Sequence, residues 1–166
     1  MLRIIAAEDL PRRGVKVGQA GGLIQTPGNL SQSGDCWVFP GASVKGTARV
    51  QGSAYVAGSA RVAGNASVSG DARILERASV CGDAYICGNA RIFGDARVSG
   101  EARVYESAQV SGDARVHGNS LISGNACIGG DAEVSGDAEV SGDAEVSGGS
   151  RVSWGSRVTG DTLIFG

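Results

Sequence analysis

Apolar and polar positions recur along this chain with a period of six residues. From Val38 to Ile164 every sixth residue is Val or Ile, which gives 22 positions without a break. Two residues before each lies a small side chain, Ala in 17 cases, and four residues before each lies Gly in 18 cases. Small–x–Val alternates as a strand does, and Gly permits a bend that other residues resist. The pattern predicts one short strand and one corner per unit, with the aliphatic and small side chains inside a coil.

The residue after each aliphatic position indicates how many units make one coil. At a spacing of 18 it gives the apolar stripe Phe39, Ala57, Leu75, Phe93, whereas a spacing of 12 gives a more mixed set. Three faces per coil fit better, so the 22 units predict about seven coils. Parallel strands lie about 4.8 Å apart, which makes a rod roughly 34 Å long. The Gly position is replaced four times, by Pro40, Glu76, Glu106 and Trp154.

Composition and charge exclude several partners. The 28 glycines and 5% aromatic content suit a narrow, uniform core. A net charge of −2 argues against a protein built to neutralise phosphates, so no nucleic acid is expected. No apolar run approaches the roughly 18 residues of a membrane helix, and Glu8 and Asp9 come too early for a signal peptide.

The four cysteines indicate no special chemistry. Cys36, Cys81, Cys87 and Cys127 form no C-x-x-C pair, so neither a zinc knuckle nor a redox pair is predicted. Cys36 occupies an inward position, and Cys81 and Cys87 belong to successive units, which places them on different sides of the coil. A reducing compartment is the default interpretation.

The hexad pattern resembles the left-handed parallel β-helix of hexapeptide-repeat proteins. The segment "GGLIQTPGNLSQSGDCWVFPGASVKGTARV", residues 21–50, is similar to the opening segment of YdcK-like members, which occur in bacterial and phage genomes. The resemblance implies an all-β fold: a single-stranded, left-handed, triangular parallel β-helix over residues 34–166. Residues 1–33 would form a cap, with "LRIIAA" as a strand and residues 11–14 as a turn. Side-by-side trimers are also implied.

Many proteins of this class are labelled acyltransferases, which typically use a histidine base and a long loop that builds a cleft between subunits. Here the only histidine is His117, and no loop interrupts the register. Three histidines hold zinc in the related γ-type carbonic anhydrases, and one cannot. No catalytic residue and no cofactor are therefore predicted, and His117 becomes a base only if the chain is an enzyme.

The phrase GDAEVS occurs three times in residues 130–147 and places six carboxylates on one coil. Arginines in the neighbouring coils, Arg115, Arg151 and Arg157, predict ordinary ion pairing across strands. A cation or basic partner is the alternative. The weak metal candidates are Asp131, Glu133, Asp137, Glu139, Asp143 and Glu145.

These features favour a non-catalytic rigid solenoid that acts as a structural or interaction module, for example in a phage or another assembly. The alternatives are an acyl- or acetyltransferase of the hexapeptide class and a binding surface on the acidic coil. A homo-oligomer, with a trimer favoured, is expected to use Phe39, Leu75, Phe93 and Phe165, because the stripe and the last coil expose apolar side chains. A protein partner at the C-terminal end is the other way to cover that coil. The predicted location is the cytoplasm, or a virion if a phage encodes the chain.

Overall fold

The chain winds around three parallel sheets. The computed structural model describes residues 1–166 and contains 24 short β-strands and two 3₁₀ helices. In the hexad body each strand pairs in parallel with the strand three places further along the chain, so one coil takes 18 residues. We call the three sheets faces 1, 2 and 3, in the order in which each coil passes through them.

The strands are distributed over the faces as follows. Face 1 contains β1 (Leu2–Ile5), β2 (Ala20–Ile24), β4 (Ser43–Val44), β7 (Arg61–Val62), β10 (Ser79–Val80), β13 (Arg97–Val98), β16 (Arg115–Val116), β19 (Glu133–Val134) and β22 (Arg151–Val152). Face 2 contains β5 (Arg49–Val50), β8 (Ser67–Val68), β11 (Tyr85–Ile86), β14 (Arg103–Val104), β17 (Leu121–Ile122), β20 (Glu139–Val140) and β23 (Arg157–Val158). Face 3 contains β3 (Trp37–Val38), β6 (Tyr55–Val56), β9 (Arg73–Ile74), β12 (Arg91–Ile92), β15 (Gln109–Val110), β18 (Cys127–Ile128), β21 (Glu145–Ser147) and β24 (Leu163–Phe165). The 3₁₀ helices are Pro11–Arg13 and Pro27–Asn29.

The predicted three-faced coil is confirmed, and the structure adds one coil before the hexad register. Strand β2 pairs in parallel with β4, and Leu30 forms a parallel bridge with Val50. Ile24 and Leu30 are buried in this extra coil. The sheets therefore begin inside the segment that the sequence assigns to the cap, and the body has about eight coils.

The core is one side chain wide. Every aliphatic position from Val38 to Val146 is 0% exposed, and the alanines beside them are equally buried. Each such Val or Ile contributes about 1.5–3 kcal/mol through burial, offset by the entropy lost on ordering the chain. Burial loosens only in the last coils, where Val158 is 7% exposed.

The corners depend on left-handed backbone conformation. Gly94, for example, has φ +72°, and a Cβ at this residue would lie 2.8 Å from the amide nitrogen of Gly112 in the next coil. Three of the four residues that replace Gly adopt the same conformation: Glu76 (φ 58°), Glu106 (φ 59°) and Trp154 (φ 55°). After Pro40 the left-handed residue is instead Gly41, with φ 93°.

Backbone hydrogen bonds tie each coil to the next. In one unit the amides of Asp95, Arg97 and Ser99 donate to carbonyls of the following coil at 2.8, 2.9 and 2.9 Å. Because this set recurs in unit after unit, neighbouring coils have little freedom to slide or tilt. No helix of the structure is long and apolar enough to cross a membrane.

An N-terminal arm closes the first coil. Strand β1 lies antiparallel to β2 at the edge of face 1, and the chain between them turns at Pro11–Arg13. Arg13 Nε donates to the Asp35 carbonyl at 3.1 Å, and its Nη2 donates to the Ser53 carbonyl. The Arg13 guanidinium lies 4.7 Å from the centre of the Tyr55 ring. This arginine therefore fastens the arm to face 3.

Candidate functional site

The single histidine forms a specific contact at the edge of face 1. His117 follows β16 and lies at the corner between faces 1 and 2. Its Nε2 lies 2.9 Å from Glu133 Oε1, in the next coil. Glu133 Oε2 also pairs with Arg151 Nε at 3.4 Å. The hydrogen bond from His117 lowers the pKa of Glu133, and the nearby Arg151 adds to the effect.

The sequence prediction for this region is partly right. The backbone register Arg115–Glu133–Arg151 is present, and the Glu133–Arg151 ion pair forms as expected. The remaining oxygen of Glu133 contacts His117 instead of Arg115. Comparing residues 18 apart missed this contact, because His117 and Glu133 are 16 apart and lie diagonally.

The other acidic residues of residues 130–147 bind neighbours within the chain. Glu139 pairs with Arg157 at 2.9 Å, as predicted. Asp137 accepts a hydrogen bond from Asn119 at 3.0 Å, and Asp143 accepts one from Asn125 at 2.8 Å. These asparagine–aspartate contacts run along the corners and were not foreseen.

The structure does not gather the six carboxylates into one site. Asp131, Glu133, Asp137, Glu139, Asp143 and Glu145 are distributed around the coil, two for each face. No three His, Cys, Asp or Glu side chains lie close enough together to hold a metal ion. Binding of a cation by this coil stays a prediction.

The cysteines lie where the sequence places them. All four are free, and Cys36 is buried at the start of the core. Cys81 and Cys87 lie at different corners, and both are half-buried. Burial raises the pKa of the Cys36 thiol and, with help from the charge of Glu145, that of Cys127. A raised pKa disfavours the reactive thiolate.

The predicted interface residues differ in exposure. Phe39, Leu75 and Phe93 are half-buried, because the residue after each strand turns into the corner; Phe39 packs on the core and meets Tyr55 edge-on at 5.8 Å. Phe165 is 63% exposed. Trp154, which sequence reasoning noted only as an exception to the Gly pattern, is 90% exposed.

Two clefts contain apolar side chains. One lies between the arm and the first coil, has a volume of about 260 Å³ and includes Cys36 and Trp37 in its wall. The other is a half-open cleft of about 690 Å³ on face 2. Its lining residues are Asp83, Tyr85, Cys87, Glu101, Arg103, Tyr105 and Leu121. His117 lines neither cleft.

The face 2 cleft was missed by sequence reasoning. Tyr85 and Tyr105 are 20 residues apart, so neither the six-residue nor the 18-residue comparison pairs them. The available signal was Tyr85 itself, an aromatic residue at an outward strand position on a face of polar side chains. It is 43% exposed.

Comparisons with known proteins agree with this architecture. The family model described as the YdcK β-solenoid repeat matches residues 84–100 and 108–124. No curated protein sequence matches the chain significantly. Among solved structures, LpxA from Acinetobacter baumannii superimposes with a TM-score of 0.55 and 12% identity, over 84% of this chain and 69% of that one. At this identity the match concerns the fold alone, and it confirms the predicted left-handed parallel β-helix. The predicted resemblance to the YdcK-like hexapeptide-repeat family is confirmed by the two repeat matches.

Proposed function

We propose that this protein is a non-catalytic rigid rod, a structural or interaction module that holds its flat faces at fixed spacing. The observation that carries the proposal is the unbroken register of 22 units, in which no inserted loop leaves the coil. A site that excludes water normally needs such a loop, a lid or a deep pocket. The two clefts with apolar walls are open to solvent, and neither includes the histidine.

Self-association is part of the proposal. Trp154, Leu163 and Phe165 are 90%, 60% and 63% exposed, which is unusual for large apolar side chains of a stable monomer. The resemblance to hexapeptide-repeat proteins implies a trimer. A homo-oligomer would present several copies of each face on one assembly, in the cytoplasm or on a virion.

One observation favours a second candidate, acyl transfer. A carboxylate that accepts a hydrogen bond from imidazole orients the ring and increases its basicity, and His117 and Glu133 form such a pair at 2.9 Å. The resemblance to hexapeptide acyltransferases supplies the reaction class. The pair is half-exposed, so a subunit contact would have to complete a pocket around it.

Calorimetric titration of the protein with coenzyme A and with acetyl-coenzyme A separates the two functions. For a non-catalytic rod we expect no saturable heat with either compound up to about 1 mM, a concentration that would reveal even weak binding. Saturable binding, together with acetyl transfer that is lost in a folded His117→Ala variant, would replace the rod with the enzyme. Ser99→Ala, one coil before His117 in the same column, is the matched control.

A further inference from the structure

The structure contains two outward-facing tyrosines in equivalent surroundings, one covered and one open. Tyr55 on face 3 pairs in register with Arg73 of the next coil. Tyr85 on face 2 pairs in register with Arg103 of the next coil in the same way. Each tyrosine therefore begins a two-rung Tyr–Arg step on a flat face.

At the first step, the N-terminal arm covers the ring. Arg13 lies 4.7 Å from the Tyr55 ring centre, and Arg73 lies 5.8 Å from it on the neighbouring rung. Arg13 also donates to the carbonyl of Ser53, two residues before the tyrosine. The chain thus shows that an arginine carried by a tight turn can occupy such a step, even beside a second arginine.

At the second step, no segment of the chain covers the ring. Tyr85 is 43% exposed and lies in the face 2 cleft with Tyr105 and Leu121. The residue two before it is Asp83, where the covered step has Ser53. Glu101 lies in the same cleft, and neither carboxylate has a cationic group within 4.0 Å. The open step therefore offers an aromatic face and two carboxylates that belong to no ion pair.

We propose that the Tyr85–Arg103 step is a docking site for an arginine-bearing turn of another polypeptide. The incoming guanidinium would stack on the Tyr85 ring and pair with Asp83 or Glu101, while Leu121 and Tyr105 contact its aliphatic stem. The cleft volume of about 690 Å³ falls in the range of recognised ligand sites. Arg103 does not exclude this occupant, because Arg73 flanks Tyr55 equally while Arg13 is bound. The inference rests on the proposed role as an interaction module and names the chemistry of its partner.

A peptide taken from the chain's own arm provides the probe. Residues 9–16, "DLPRRGVK", include the turn that covers Tyr55. The peptide carries an N-terminal fluorophore, and its anisotropy is measured with the full-length protein, with Tyr85→Ala and with Tyr85→Phe. We expect saturable binding that weakens about 3- to 30-fold in Tyr85→Ala and persists in Tyr85→Phe, which keeps the ring. Asp83→Asn should weaken binding more at low salt than at high salt.

The controls separate this site from other causes of binding. Ser67→Ala, one coil earlier in the same column of face 2, should not change the affinity. A peptide in which both arginines are replaced by glutamine should not bind. The proposal is overturned if the peptide does not bind at millimolar concentration, if Tyr85→Ala binds as well as the original protein, or if the glutamine peptide binds equally. Displacement of the arm at Tyr55 would produce the second of these results. A failure here leaves the rod function standing, because that function is judged by the coenzyme A titration.

Discussion

The carboxylate of Glu76 accepts a hydrogen bond from the amide nitrogen of Gly94 in the next coil, at 2.8 Å. Glu106 makes the same contact with Gly124, at 2.5 Å. Both glutamates occupy corner positions with positive φ, which costs a residue other than Gly about 1–2 kcal/mol. A charged acceptor on a backbone amide offsets part of that cost. The side chain thus compensates for the conformation that it strains.

This relationship predicts different effects for two substitutions at one position. Glu76→Ala should lower the free energy of unfolding by about 1 kcal/mol, because the hydrogen bond is lost and the strain stays. Glu76→Gly should be close to the original protein, since the loss of the bond is balanced by relief of strain. Urea denaturation of both variants checks this. Equal destabilisation by Ala and Gly would show that strain at this corner is negligible.

Three Gly→Ala variants separate backbone conformation from close packing. Gly149 has an ordinary φ and no atom within 4 Å of a built Cβ, so the substitution should be neutral. Gly155 has φ +69° but open space, and we expect a loss of about 1 kcal/mol. Gly94 combines φ +72° with a contact of 2.8 Å to backbone, so its loss should exceed that of Gly155. If thermal unfolding showed Gly155→Ala to be less stable than Gly94→Ala, close stacking of the corners would not be the main reason that they need glycine.

The inward register is tested by neighbouring residues. Val98 is 0% exposed, so Val98→Asp would bury a carboxylate with no partner and should cost about 4 kcal/mol or more. Ser99 is half-buried at a corner and faces solvent, so Ser99→Asp should cost less than about 1 kcal/mol. Melting temperatures of the two variants provide the measurement. Equal melting temperatures would contradict the assigned register.

The repeat made the body of this fold predictable, because each unit repeats the same local solution. Val98 and Ala96 are inward for the same reason as their equivalents in every other coil, so one correct unit places all of them. The coil formed before Trp37 was not predicted. Its inward residues Ile24 and Leu30 follow no hexad spacing, and tertiary pairing with β4 and Val50 fixes their positions.

The candidate sites were less predictable than the fold. Contacts straight up a column, such as Glu139–Arg157, follow from a spacing of 18 residues. Diagonal contacts, such as His117–Glu133, depend on side-chain length and rotamer at a corner. The cover over Tyr55 depends on where a non-repeating arm lands, and no spacing in the sequence specifies that.

Acid should selectively weaken the contacts of Glu133. Its pKa is lower in the folded state than its ordinary value, mainly because His117 donates to it. The group therefore contributes stability above its unfolded pKa, and that stability is lost as the pH falls through the folded pKa. We expect Glu133→Gln to be destabilising near pH 6 and nearly neutral near pH 3. Chemical denaturation at a series of pH values checks this, with Glu101→Gln as a matched control on the same protein. A difference between the original protein and Glu133→Gln that does not change with pH would contradict the assignment.

Self-association should depend more on the last coil than on the half-buried stripe. Trp154 and Phe165 are 90% and 63% exposed, whereas Phe93 is half-buried and has less apolar surface to offer a second subunit. At about 25 cal/mol per Å² of apolar surface, the more exposed side chains contribute more to association. Light scattering at micromolar concentration should give a mass above the 16.7 kDa of one chain. Trp154→Ser combined with Phe165→Ser should shift that mass toward the monomer, and Phe93→Ser should shift it less. A monomeric original protein would remove homo-oligomerisation from the proposed function, and a larger effect of Phe93→Ser would return the contact to the stripe of Phe39, Leu75 and Phe93.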